Sequence, residues 1–291
     1  MLELQDKLPG YIINNYKSRE SFLKALPETQ IAITWYFRQE WLERAIKLEC
    51  LATPAAGRDF FHIQLPPQIK SYYGSFHGQI MAETVVGMIL CSARGLIHSF
   101  SSQKKLTWNR SLLEPNLTTI RNSHVLLLGF GNIGKKIAEL LKPFGVRITG
   151  IRLHKTKKSD YPSFFQKQDR ILTINELDKE LPFIDHLILS LPRLKSTDLI
   201  LNSIRLRMLP TNATIYNVGR GNAIDEKALI KLLRNKKLKG AYMDVFKNEP
   251  LSFFSPLRRC PNSYLLPHAS AMAPEYMNLF IREFTSYLKE I

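Results

Sequence analysis

The sequence predicts an α/β fold in which a doubly wound parallel sheet follows a second, smaller lobe. Three observations carry this. From about residue 123 onward, short and continuously apolar β-rich runs alternate with helical stretches, as strands buried on both faces do. A glycine turn, Gly129-Phe130-Gly131-Asn132-Ile133-Gly134, joins the first of these runs to a helix. The 291 residues allow one large domain or two of ordinary size.

Taken in order, residues 31–35 and 48–52 read as two short strands with a helix between them. A long helix over 79–99 follows and bridges two lobes. Residues 100–122 show no clear period and read as a protruding arm. The second lobe is expected to have strands at 125–128, 146–151, 187–191, 215–218, 242–245 and 264–266. Helices are expected at 133–144, 204–208 and 226–234. A terminal helix runs over 275–290, with Pro274 at its first turn.

Composition bounds the function. Hydrophobic residues make up 45% and charged residues 23%, which excludes a disordered or fibrous chain. Lys and Arg number 41 against 25 Asp and Glu, a net charge of +16 that suits nucleic acid, a membrane surface or an anionic small molecule. No nucleic-acid motif accompanies the charge. Glu83 and Arg94 interrupt the most apolar helical stretch, so no membrane span is expected. Cys50, Cys91 and Cys260 include no C-x-x-C pair, which argues against a disulfide framework or a cysteine metal site. Residues 1–17 lack a leader's apolar run. A cytoplasmic protein without a metal is the expectation, and the sequons at Asn109, Asn116 and Asn212 carry no weight.

In the glycine turn, Gly129 permits the tight bend and Gly131 lets backbone approach a pyrophosphate. Gly134 lets helix pack on strand, and the helix N-terminus offers free N–H groups. An incidental glycine turn is the bland alternative, but a strand before the turn and a helix after it favour dinucleotide binding. A carboxylate after the second strand would select NAD(H) through the ribose hydroxyl. Here stands Arg152, followed by His154, Lys155, Lys157 and Lys158. A guanidinium among lysines suits a 2′-phosphate. NADP(H) is therefore favoured; NAD(H) and a merely solvated basic loop stay open.

Three further segments each place a polar residue just after a buried strand. They are Asn217-Val218-Gly219-Arg220-Gly221, Asp244-Val245-Phe246-Lys247-Asn248-Glu249-Pro250 and Leu265-Leu266-Pro267-His268. With the glycine turn they resemble the D-isomer-specific 2-hydroxyacid dehydrogenase family, over most of the chain from about residue 48. The resemblance implies a Rossmann-type lobe over 79–268 and a smaller flavodoxin-like substrate lobe over 1–78, completed by 269–291, with a cleft between them. It implies that Arg220 clamps the substrate carboxylate, that His268 exchanges a proton with the substrate oxygen, and that Glu249 fixes the tautomer of His268. Asp244 and Val218 would face the cofactor with Asn132, Ile133, Leu191 and Pro192. Ala56 and Gly57, in a segment running on to Arg58 and Asp59, would bind the substrate through backbone N–H groups.

The implied activity is hydride transfer between a nicotinamide cofactor and a small 2-keto or 2-hydroxy acid, with glyoxylate or hydroxypyruvate as the type. A homodimer is implied, with the arm wrapping the partner. The alternative is a dehydrogenase-like NAD(P)-binding regulator without turnover. His77 is the one rival histidine for the substrate site; His62, His98, His124, His154 and His186 receive no role. Two departures from the family stand out: a short first lobe, lacking an opening strand near 10–14, and the missing selectivity carboxylate. No regulatory domain is expected after the terminal helix.

Overall fold

In the computed structural model the chain divides into two compact units, Met1–His77 with Met272–Ile291, and Gly78–Ala271. The described residues are 2–57, 61, 63–105, 107–108, 110–114 and 117–290. Arg58, Asp59, His62, Asn109 and Asn116 lie outside them.

The first unit opens with α1 (Leu2–Lys7) and α2 (Arg19–Ala25), the latter capped by the Ser18 hydroxyl, which accepts the Ser21 N–H. Three short strands follow: β1 (Ile31–Ile33), β2 (Cys50–Thr53) and β3 (Lys70–Tyr73), parallel and in the order β1-β2-β3. A 3-10 helix over Gln39–Arg44 stands where an α-helix was expected between the first two strands. β2 is central and wholly buried. Its Leu51 packs with Leu26 and Trp41 on one face, while Cys50 and Ala52 pack on the other against Phe280 and Phe284 of the terminal helix. Each fully buried leucine or phenylalanine contributes about 1.5–3 kcal/mol. β3 eluded the sequence reading because, as an edge strand, it exposes Lys70 and Ser71 and shows no apolar run.

The expected long helix is two helices, α3 (His77–Ala93) and α4 (Leu96–Lys104), bent by 68°. Gly95 makes the break at φ +59°, a conformation that glycine adopts without strain. The arm is also more regular than its sequence implied, because α4 runs into it and α5 (Arg110–Leu113) lies within it. No single helix among the described residues is long and apolar enough to cross a membrane. The bent pair α3–α4 passes that test jointly, yet Ala82, Val85, Ile89 and Ala93 of α3 belong to the protein core.

The second unit continues with β4 (His124–Leu128), α6 (Asn132–Leu141), β5 (Arg147–Arg152), β6 (Arg170–Thr173), α7 (Leu177–Glu180) and β7 (His186–Leu189). Then come α8 (Ser203–Met208), β8 (Thr214–Asn217), α9 (Glu226–Arg234), β9 (Gly240–Met243) and β10 (Ser263–Leu265). The seven strands are all parallel, in the order β10-β9-β8-β7-β4-β5-β6, so the chain winds outward both ways from β4. Successive β4 residues face opposite cores. Leu126 and Leu128 meet α7, α8 and α9, whereas Val125 and Leu127 meet α3 and α6. β6 was not expected; it too is an edge strand, with an exposed arginine at its start. After Ala271 the chain returns to the first unit, where α10 (Tyr276–Glu290) ends it.

Candidate active site

Strand register sets the site. Ile151, Leu128, Leu189, Asn217, Met243 and Leu265 form one row of pairing partners across the second unit's sheet. The residues that leave this row are Arg152, Gly129, Ser190, Val218, Asp244 and Leu266. All therefore emerge at the carboxyl edge, where open parallel sheets bind ligands.

The glycine turn is built as a cradle. A Cβ on Gly134 would stand 2.3 Å from the Gly129 carbonyl oxygen, so helix and strand approach as only glycine allows. Gly129, at φ +103°, is held by the Ser190 hydroxyl, which donates to its carbonyl at 2.7 Å. At Gly131 a Cβ would meet nothing within 4 Å. The protein's own packing does not demand glycine there; a phosphate seated on the exposed start of α6, at Asn132, would. Ile133 packs partly into the core beneath. These residues fit a dinucleotide pyrophosphate.

Arg152 ends β5 and is exposed, as are His154, Lys155, Lys157 and Lys158 after it. Leu191 and Pro192 leave β7 beside Gly219, whose Cβ would come 2.6 Å from the Leu191 nitrogen. Val218, expected to face the cofactor, is 2% exposed with its side chain packed in the core, which leaves its backbone as the part that would face a ligand.

Asn217, to which the sequence reading gave no role, shapes the next turn. Fully buried, it accepts the Gly219 N–H at 3.1 Å and donates to the Arg220 carbonyl at 3.1 Å. An asparagine closing an otherwise apolar strand was the signal available. The half-buried Arg220 donates from Nη1 to the Gly219 carbonyl at 2.9 Å.

His268 and Glu249 meet. The imidazole Nδ1 lies 2.7 Å from Glu249 Oε2, and Glu249 Oε1 accepts the Phe246 N–H at 2.8 Å. The carboxylate thus binds the protonated Nδ1 and leaves Nε2 as the ring nitrogen open to a ligand. The His268 side chain is 55% exposed. Its backbone is left-handed at φ +53°, which costs on the order of 1 kcal/mol for a non-glycine residue.

Asp244 was expected to face the cofactor. Its side chain is fully buried, and the carboxylate is held from within the protein: Oδ1 accepts the Ala269 N–H at 2.6 Å, and Oδ2 the Ser270 N–H at 3.1 Å. A buried carboxylate must find donors, and the turn after His268 supplies them. The Asp244 carbonyl also accepts the His268 N–H at 2.9 Å.

In the first unit, Ala56 and Gly57 lie in the turn after β2, with Ala56 exposed. His77 is 3% exposed and stacks on Phe76, with its ring held below the ordinary histidine pKa by burial. Such a ring is poorly placed to exchange protons with a substrate. Among the described residues no cluster of His, Cys, Asp and Glu could hold a metal ion. A cavity of about 980 Å³ opens at the opposite, amino edge of the second unit's sheet, lined by His98, His186, Tyr242 and Tyr264, and contains none of the site residues above.

Residues 86–270 match the family model for the D-isomer specific 2-hydroxyacid dehydrogenase NAD binding domain. A glyoxylate/hydroxypyruvate reductase B from Enterobacter agglomerans is 30% identical over 237 residues, covering 79% of this chain and 70% of that protein. One from Yersinia enterocolitica is 28% identical over 245 residues, covering 81% and 72%. Among solved structures, a D-isomer specific 2-hydroxyacid dehydrogenase family protein from Aeromonas salmonicida superposes with a TM-score of 0.80 at 27% identity, covering 99% of this chain and 93% of that one. The chain belongs to the D-isomer specific 2-hydroxyacid dehydrogenases, enzymes that move a hydride between a nicotinamide cofactor and a small 2-keto or 2-hydroxy acid.

Proposed function

We propose that this protein reduces a small 2-keto acid of the glyoxylate or hydroxypyruvate type with NADPH. The observation that carries the reading is the hydrogen-bonded His268–Glu249 pair, which shares the carboxyl edge of one parallel sheet with Arg220 and the glycine cradle. Residues 79–268 serve as the dinucleotide lobe, and 1–78 with 269–291 as the substrate lobe.

Gly129, Gly131, Asn132, Ile133 and Gly134 hold the pyrophosphate, Leu191 and Pro192 flank the ribose, and Arg152 takes the 2′-phosphate. When bound, the nicotinamide supplies the hydride. Arg220 pairs its planar guanidinium with the substrate carboxylate, and its charge stabilises the oxyanion that develops on the carbonyl. The N–H groups of Ala56 and Gly57 bind the same carboxylate. His268, protonated on both nitrogens, delivers the Nε2 proton to the carbonyl oxygen as the C–H bond forms. Glu249 keeps Nδ1 protonated throughout and orients the ring. Keto acid, NADPH and one proton become hydroxy acid and NADP⁺.

Two wider readings accompany this one. The chain acts as a homodimer through its arm, a reading supported by the exposure of Trp108 at 103% and Phe100 at 59%, two aromatic side chains that a partner would cover. It works in the cytoplasm, which its three free cysteines support.

The test is NADPH oxidation, followed by absorbance, against glyoxylate, hydroxypyruvate and pyruvate. Turnover with glyoxylate or hydroxypyruvate is expected. If the protein binds NADPH yet turns over none of the three with either NADPH or NADH, a regulatory NAD(P)-binding protein becomes the better reading.

A further inference from the structure

We infer that Tyr276 is a positioning residue for the 54–57 turn, acting through a directed chain of hydrogen bonds that begins at His77. Tyr276, the first residue of α10, donates its hydroxyl proton to the Pro54 carbonyl at 3.0 Å. The same oxygen lies 2.8 Å from His77 Nε2. A tyrosine hydroxyl has one proton, and the carbonyl takes it. The imidazole is therefore the donor at the other contact, which makes His77 the Nε2–H tautomer. Burial lowers the His77 pKa, so the ring is neutral at pH 7 and the direction His77 to Tyr276 to Pro54 is set.

Packing determines where that hydroxyl stands. The Tyr276 ring stacks on Trp35 at 5.9 Å and meets the Phe76 ring edge-on at 4.8 Å. A second feature converges on the same carbonyl: a Cβ at Gly74 would lie 2.6 Å from the Pro54 oxygen, so only glycine lets β3 end this close to the turn. The Gly74 N–H binds the Thr53 carbonyl at 3.1 Å, and the Thr53 hydroxyl accepts the Ala55 N–H at 3.3 Å. The inner half of the turn is thus pinned at Thr53, Pro54 and Ala55. The peptide planes that follow, at Ala56 and Gly57, inherit their direction from it. The inference rests on the reading above that these two N–H groups bind the substrate carboxylate. A turn freed at Pro54 would then weaken substrate binding while leaving hydride and proton transfer unaltered.

The experiment is steady-state kinetics of the whole protein with glyoxylate, hydroxypyruvate and pyruvate. Tyr276→Phe keeps the ring and removes only the hydroxyl. KM for the keto acid should rise about three- to ten-fold, the scale of one lost hydrogen bond, with kcat and KM for NADPH nearly unchanged and the melting temperature lowered by only about 2–4 °C as two buried groups lose their partner. His77→Leu should do the same. His77→Gln, whose amide N–H can stand near the position of Nε2, should restore much of the loss. The double variant Tyr276→Phe/His77→Leu should be no worse than either single one, because both break one chain. An unchanged KM in Tyr276→Phe overturns the inference, as does a joint fall of kcat, NADPH affinity and melting temperature. Ala56→Pro, which deletes a turn N–H, separates the two readings. If it raises KM and Tyr276→Phe does not, the positioning role alone falls. If Ala56→Pro leaves KM unchanged, or the wild type reduces none of the three acids, the reading of the turn falls and the inference with it.

Discussion

Glu249 reaches His268 with one oxygen, 2.7 Å from Nδ1, and anchors itself with the other on the Phe246 N–H at 2.8 Å. The imidazole is thereby held in one tautomer at an exposed edge. His268→Ala should lower the rate of reduction about 10²–10⁴-fold while leaving NADPH binding nearly intact. Near-wild-type reduction by this variant between pH 5 and 8 would remove His268 from the mechanism.

Arg220 is expected to fail differently. Arg220→Ala loses both the carboxylate clamp and charge stabilisation in the transition state, so KM should rise and kcat fall together. Arg220→Lys should recover only part, since an ammonium lacks the planar fork. A variant with altered kcat alone would argue against the clamp.

Arg152 stands exposed at the end of β5, with four basic residues following within six positions. Arg152→Asp should shift preference from NADPH toward NADH by about ten- to a hundred-fold, the worth of one charge-assisted contact. Equal affinities of the wild type for the two cofactors would defeat this.

Trp108 is fully exposed on the arm. Trp108→Lys should move the sedimenting species toward the monomer mass. A wild-type protein that sediments as a monomer at micromolar concentration would sink the dimer.

His186, on β7, is buried beside the Tyr216 hydroxyl at 3.1 Å, and burial lowers its pKa to about 4. The unfolded chain, with an ordinary histidine near 6.5, binds the proton more readily between these values. Stability is therefore full above about pH 6.5 and is lost as pH falls toward 4, by on the order of 3 kcal/mol from this group. His77 and His124, also lowered by burial, act in the same direction. His186→Phe should flatten the decline in melting temperature between pH 7 and 4.5. An unchanged decline would show that His186 does not drive it.

The sequence alone determined six of the seven strands of the second unit's sheet, all but β6, and the order of its site residues. Its interior strands are buried on both faces, so each appears as an apolar run, and the next residue necessarily leaves at the carboxyl edge. Gly129, Gly131 and Gly134 were legible for a local reason: their roles depend on a turn that their own spacing builds. What the sequence left dark depended on distant neighbours. β3 and β6 are edge strands whose exposed starts erase the apolar signal. The helix break at Gly95 could not be told from Gly87, because a Cβ on Gly87 meets nothing within 4 Å whereas Gly95 abuts the Leu117 side chain. Asp244 and His77 sit in motifs that drew attention to them, but tertiary packing decided where their polar atoms went. Asp244 finds its donors 25 and 26 residues away, and Tyr276 joins His77 and Pro54 across 199 and 222 residues. Periodicity and spacing report which residues share a face or a turn. Which buried polar atom meets which partner is settled only when the chain closes on itself, because the cost of leaving such an atom unpaired is incurred only there.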